Sequence, residues 1–207
     1  MQENRKLKKQ CRVEMTRGYG LLENFLAKKR AQKADKLIPK HLRKGRVLDI
    51  GCGITPFFLI NTNFKKKYGI DSSLKLFGEN ENIILKKFDV EKNTKLPFKD
   101  NFFDVVTLLA VIEHLEPAKL VGILKEIKRV LKQNGRFILT TPCPLTNKLL
   151  KIMAKLRIVS PKEIEEHVAE YDQKSIIYCF CQAGFVKKNI KAGYFEFFLN
   201  NWVYTDK

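Results

Sequence analysis

The run R-V-L-D-I-G-C-G, residues 46–53, limits the possible folds more than any other stretch of the chain. Val47, Leu48 and Ile50 make a short apolar strand, and the side chains then shrink to nothing at Gly51 and Gly53. Glycine at such a point allows left-handed backbone or the close approach of a ligand. A buried strand running straight into a glycine turn is the first half of a βα unit, and it needs neighbouring strands on both sides.

Those neighbours follow in order. K-Y-G-I-D reads as a second strand ending at Asp71, residues 83–88 as a third closing on Asp89, and residues 103–109 as a fourth, continuously apolar after Asp104. Between the first two, P-F-F-L-I-N-T-N-F predicts a short helix, and an abbreviated one is expected near residues 72–77. The spacing of Leu120, Leu124, Ile127 and Leu131 behind Pro117 predicts a helix that runs to a stop at Asn134-Gly135. A fifth strand, residues 136–141, comes directly after. Ahead of the sheet, residues 18–37 carry an amphipathic pattern closed by Pro39. Beyond Pro144 the alternation changes. Helical segments are expected at 146–156 and after Ser160-Pro161, and another runs from an Asp172 cap to Gly184. The tail is read as two antiparallel strands joined by a turn at Lys191 to Gly193. The whole is an α/β chain with helices on both faces of a sheet, and neither repeats nor low-complexity segments interrupt it.

Its 207 residues suit one domain. The expected organisation is a basic helical extension (1–44), a core (45–144), a helical insert (145–171) and a last helix with its strand pair (172–207). The absence of a long apolar run or secretory leader favours a cytoplasmic protein. Five cysteines without paired spacing read as reduced thiols, and no metal site is expected. The net charge is +18, of which residues 1–46 supply +11. Such asymmetry suits either a solvated lysine surface or an anionic partner: nucleic acid, a phosphorylated small molecule or a membrane surface. Because 31 of the 40 basic residues are Lys, planar arginine readout of bases is the weaker option.

In an open parallel sheet, ligands lie beyond the carboxyl ends of the strands. Four such ends carry distinctive residues: G-C-G at 51–53, Asp71 with Ser72, Asp89 with Val90, and A-V-I-E-H-L at 110–115. Asp71 stands roughly 20 residues after the glycine turn, the spacing that suits a carboxylate accepting from ribose hydroxyls. G-C-G-I-T-P-F matches neither the dinucleotide pattern G-x-G-x-x-G nor the phosphate loop.

With V-L-D-I-G-C-G, G-I-D-S-S, L-P-F-K-D-N-F-F-D-V-V, V-I-E-H-L and E-I-K-R-V-L-K-Q-N-G-R-F-I-L-T-T-P in this order, the chain resembles class I S-adenosylmethionine-dependent methyltransferases of the type 11/type 23 kind. The resemblance spans about residues 45–145 and implies a Rossmann-like doubly wound sheet of seven strands, order 3-2-1-4-5-7-6, with the last strand antiparallel. It implies S-adenosylmethionine as cofactor and S-adenosylhomocysteine as product. Asp49, Gly51, Cys52 and Gly53 would then shape the loop under the methionine part, Asp71 with Ser72 would face the ribose, Asp89 and Val90 the adenine, and Ala110 and Val111 the methionine end. S-adenosylmethionine carries no phosphate, which accounts for the missing last glycine. Thr55, where this loop more commonly has Gly, is expected to reshape the turn without abolishing binding.

Each carboxylate also has a plain structural alternative: Asp49 as a brace, Asp71 as a helix cap, Asp89 as a loop carboxylate. His114 is the candidate general base, against the alternative that it packs within its loop. Glu113 is a weaker candidate. His167 and Tyr19 are placed on the acceptor side, and His41 is structural. Cys143, in T-P-C-P, lacks the companion Pro-Cys motif of cysteine-dependent RNA methyltransferases and is not expected to be a nucleophile. The favoured acceptor is a small molecule, an oxygen of a sugar, lipid-linked or other metabolic intermediate. The alternatives are RNA held by the basic N-terminal region, and a non-catalytic S-adenosylmethionine-binding partner subunit.

Overall fold

A computed structural model describes residues 21–74, 82–93, 95–144, 146, 168–196 and 198–207. Tyr19, His167, and the helices expected within 72–77 and 147–167 lie wholly or mostly outside these residues. A helix α1 (Leu21–Leu37) and a 3-10 turn (Lys40–Lys44) lead into β1 (Arg46–Ile50). There follow α2 (Phe57–Asn61), β2 (Lys66–Asp71), β3 (Ile83–Lys87), β4 (Phe103–Leu109), a 3-10 turn (Ile112–His114) and α3 (Pro117–Val130). The chain ends through β5 (Leu131–Pro142), α4 (Gln173–Gln182), a 3-10 turn (Lys187–Asn189), β6 (Lys191–Phe195) and β7 (Asn200–Asp206).

The seven strands form one sheet in the order β3-β2-β1-β4-β5-β7-β6. β1 to β5 are mutually parallel, and β7 runs antiparallel to both β5 and β6. Side chains alternate across a strand, so each apolar strand supplies two cores. On one face Leu48, Val106, Leu139 and Val203 pack with Leu124 and Ile127 of α3 and Phe180 of α4. On the other, Val47, Val105 and Ile138 pack with Ala31 and Ala34 of α1 and Leu59 of α2. Asp172 caps α4 as expected, its carboxylate accepting from the Ser175 amide, and Gly184 ends that helix region at φ +88°.

Two expectations need correction. The helix after Pro117 stops at Val130, not at Asn134-Gly135, and the strand starts at Leu131. The amides of Asn101 and Phe102 bond the carbonyls of Arg129 and Val130 at 3.0 and 2.7 Å, capping the helix early. Leu131, fully buried, then pairs with Phe103. Asn134-Gly135 instead makes a left-handed irregularity within β5, with Asn134 at φ +61°. The tail hairpin turns between Phe195 and Asn200, not at Lys191 to Gly193, because those three residues lie inside β6. Gly193 is there for space: a Cβ on it would come within 2.5 Å of the Trp202 ring on the facing strand. A glycine covered by a cross-strand aromatic is a strand device rather than a turn signal.

The L-P-F-K-D-N-F segment is fastened by Arg129, whose guanidinium donates to the carbonyls of Leu96 and Phe98 and to Asp100 and Glu126. Glu126 accepts in turn from the Leu96 amide. That motif is therefore structural bracing for the loop ahead of β4. His41 lies on the 3-10 turn before β1, at the opposite end of the sheet from the strands' carboxyl ends, and is exposed.

Candidate active site

The turn after β1 is anchored by the end of β2: the amides of Gly51 and Cys52 both donate to the Ile70 carbonyl, at 2.8 and 3.3 Å. Gly51 and Gly53 both adopt φ +71°. They are glycine for different reasons. A Cβ on Gly51 would come within 2.4 Å of a methyl of Val111, so this glycine lets the loop after β4 close against the turn. A Cβ on Gly53 would meet only the Thr55 carbonyl, at 4.0 Å. No other atom of the described chain outside its two neighbours comes within 4 Å of that point, so the Cα face of Gly53 is open for a ligand to approach.

Asp71 locks this turn. One carboxylate oxygen accepts the Gly53 amide at 2.9 Å; the other accepts the Ser73 amide at 2.8 Å and the Ser73 hydroxyl. The capping alternative is thus real, yet the same carboxylate reaches 18 residues back to set the glycine turn. Ser73 was not among the sequence candidates; Ser72, which was, is exposed. The S-S pair after Asp71 was the available signal, and only the structure tells which hydroxyl turns inward.

Asp49 lies beneath, 4% exposed, and accepts a 2.6 Å hydrogen bond from the Thr107 hydroxyl on β4. Burial, aided by the Asp71 charge and opposed by the Thr107 bond, pushes its carboxyl up to about 7. Between about pH 4 and 7 the folded protein therefore keeps a proton that an unfolded Asp, with a pKa of about 3.9, has released. Stability from this group is complete below that lower value and is lost as pH rises through about 7. Asp49→Asn should flatten this decline. Thermal unfolding of ligand-free protein across that window is expected to show the variant gaining on the native chain as pH rises, and parallel profiles would contradict the assignment.

Cys52 points away from the open side: it is buried, and its sulfur faces Gly69, whose added Cβ would lie 2.8 Å from it. Burial pushes its thiol far up, so Cys52 can offer only backbone here. Asp89 sits at the end of β3 and accepts the amides of Glu91 and Lys92 at 3.0 and 3.3 Å. Despite desolvation, which opposes it, those amides and the Lys92 ammonium hold its carboxyl below the usual carboxylate range. Val90 packs its side chain against the larger core. Ala110 adopts φ +56°, a left-handed conformation rare for a side chain with a Cβ, and its amide donates to the Thr140 carbonyl at 2.8 Å. Its carbonyl is therefore the backbone group it has to offer. Strained backbone of this kind gathers at functional sites.

Val111 and His114 belong to one turn, since the His114 amide donates to the Val111 carbonyl at 3.0 Å. The imidazole is half-buried at the same strand end. Glu113 is turned inward, 3% exposed, accepting from the Thr141 hydroxyl at 3.0 Å, while its carbonyl receives the amides of Val168 and Ala169. Burial pushes its carboxyl up, against the opposing charges of Arg30 and His114. Cys143 is buried, and burial raises its thiol to about 11, which suits a packed side chain and not a thiolate nucleophile. Among the described residues, no three His, Cys, Asp or Glu side chains group as a metal site, and no helix is long and apolar enough to cross a membrane.

A doubly wound sheet in this strand order, with a glycine turn after β1 and an acidic residue closing β2, defines the class I methyltransferase architecture. The methyltransferase domain family matches residues 22–188, and the chain belongs to it. S-adenosylmethionine is the cofactor of this class. An uncharacterized protein of Methanocaldococcus jannaschii is 35% identical over 126 residues, 57% of this chain and 51% of that protein. An uncharacterized methyltransferase of Schizosaccharomyces pombe is 33% identical over 112 residues, 46% of this chain and 40% of that one. The chain thus spans about half the length, or less, of these curated relatives. A S-adenosylmethionine-dependent methyltransferase of Archaeoglobus fulgidus has the same fold, with a TM-score of 0.65 at 16% identity over 87% of this chain and 94% of that one.

Proposed function

We propose that this protein transfers a methyl group from S-adenosylmethionine to a small-molecule acceptor, with an oxygen as the favoured target. The observation that carries the reading is the open Cα face of Gly53 in a turn whose amide Asp71 holds and against whose Gly51 the loop after β4 closes through Val111. Backbone carbonyls of the Gly51 to Gly53 turn and of Ala110 would accept from the ammonium at the amino-acid end of the cofactor, since the amides of all four residues already donate within the protein. Asp71 would accept from its ribose, and Asp89 with the Val90 amide would take its adenine. Bound there, the cofactor supplies a methyl already activated on a sulfonium, so the chain's own task is mainly proximity and alignment. His114, half-buried in the turn after β4, would receive an acceptor's proton if the acceptor must lose one.

A small molecule is favoured over RNA because the polar groups at the carboxyl end of β5 and the adjoining amino end of β7, Thr141 and Asn201 among them, are buried. The test is to incubate the purified protein with methyl-labelled S-adenosylmethionine and a cell extract separated into metabolite and RNA pools. Label in the metabolite pool is the expected outcome. Label in RNA alone would replace the acceptor class, and no transfer to either pool would overturn catalysis by this chain.

A further inference from the structure

Among the described residues, four polar side-chain atoms on the α1 face of the sheet are buried without a hydrogen-bond partner: Arg30 Nε, Thr140 Oγ1, Glu196 Oε1 and Asn200 Oδ1. Sheet register brings the last three together. Thr140 opposes Trp202 and Pro142 opposes Asn200, so Thr140 and Asn200 are diagonal neighbours on one face. The Asn200 amide donates to the other Glu196 oxygen at 2.7 Å, which fixes that carboxylate beside it. Helix α1 brings Arg30. Lys33 lies over the Trp202 ring, 4.6 Å from its centroid, and Arg30 is one helical turn earlier on the same face. One turn rises about 5.4 Å, close to the two-residue step of about 6.8 Å from Trp202 to Asn200. The Arg30 charge accordingly acts on Glu196 and on Glu113.

Buried polar groups are almost always paired, and each unpaired one costs about 1–3 kcal/mol. Four in one place, with Thr140 fully buried and Asn200 2% exposed, mark a cluster built for something that completes it. The turn that presents it is held deliberately. Glu196 and Phe198 both take left-handed backbone, at φ +54° and +67°, and the Leu199 carbonyl accepts the Cys143 amide at 2.9 Å and the Thr146 hydroxyl. The cluster lies at the carboxyl end of β5, whose Thr140 carbonyl receives the Ala110 amide, so it adjoins the loop after β4. Strands are spaced by about 4.8 Å, which puts β7 roughly 10 Å from β4, within the span of one sugar-sized molecule.

We propose, resting on the methyltransferase reading, that this cluster is the acceptor subsite and that it takes a vicinal diol of a sugar or similar polyol. The unpaired set is one cationic donor, two acceptors, one of them a carboxylate, and one hydroxyl able to act either way. An ammonium ligand would leave the Arg30 donor unmatched and set cation beside cation. A phosphate would suit Arg30 and be repelled by Glu196. Hydroxyls both donate and accept, so neighbouring hydroxyls donate to Glu196 and Asn200 while accepting from Arg30.

The test uses saturation-transfer NMR on the full chain with S-adenosylhomocysteine present, against a panel of hexoses, their single-deoxy analogues, putrescine and inorganic phosphate. At least one hexose should bind, and one of its deoxy analogues should bind at least about tenfold more weakly, as expected when a site's polar groups lose their partner. Glu196→Gln, which preserves shape, and Asn200→Ala should each weaken that hexose at least about tenfold while calorimetric affinity for S-adenosylhomocysteine stays unchanged. If Asn200→Ala fails to fold, Glu196→Gln alone decides. Binding of putrescine or phosphate in place of any hexose, no binding by any probe, or a hexose signal indifferent to Glu196→Gln would each overturn the proposal. Retained S-adenosylhomocysteine affinity in those cases leaves the methyltransferase reading standing; its absence in the native protein would mark the failure of that reading instead.

Discussion

Gly51→Ala is expected to be the most damaging single substitution in the site, lowering folding stability by about 2–4 kcal/mol. Two physical costs add. The residue holds φ +71°, which an alanine adopts only with strain of order 1 kcal/mol. Its new Cβ would overlap a Val111 methyl at 2.4 Å, and moving that methyl disturbs the loop carrying Ala110 and His114. Overpacking of this kind typically costs about 1–3 kcal/mol. Chemical denaturation would measure the loss. Val111→Ala in the same chain should relieve the overlap but not the backbone strain, restoring roughly half. A variant as stable as the native protein would mean the turn is not packed as described.

Asp71→Ala is expected to weaken S-adenosylmethionine binding by about 100-fold or more. Hydrogen bonds to a charged group contribute about 1.5–3 kcal/mol each, and a ribose offers two hydroxyls, so even the lower figure doubled corresponds to about two factors of ten. The substitution also removes the acceptor for the Gly53 amide and for both Ser73 donors, so the glycine turn loses its tie to β2. A folding loss of about 1–3 kcal/mol should accompany it. Asp71→Asn separates the two effects. It keeps the side chain's shape and one oxygen, so folding should suffer less than affinity, by calorimetry beside thermal unfolding.

The strand ends were legible in the sequence because each was written twice, once as an apolar run and once as the small or acidic residue that closes it. Gly51, Asp71 and Asp89 stand where that pattern put them. The tail was less legible. Gly193 looks like a turn residue until Trp202 is seen packed over it, and that contact joins positions whose pairing the sequence does not display. Val130 ends its helix because loop amides from residues 101 and 102 reach its last carbonyls, again a tertiary event. Three residues of the proposed acceptor subsite, like Ser73 in the turn, are hidden in the sequence for related reasons. Arg30 stands among the lysines of α1, a pattern that reads as surface charge. Glu196 sat in what was read as a strand. Asn200, with Asn201, is the signal the sequence does carry, because two consecutive asparagines at the start of a strand oppose strand propensity and ask for a reason.

The central claim is that the turn at Gly51 to Gly53, locked by Asp71, is an S-adenosylmethionine site. Isothermal titration of the native protein with S-adenosylmethionine, S-adenosylhomocysteine and NAD tests it most directly. The account predicts saturable binding of both sulfur ligands at micromolar concentration or below, with no measurable heat from NAD. Absence of S-adenosylmethionine binding, or preference for NAD, would contradict it.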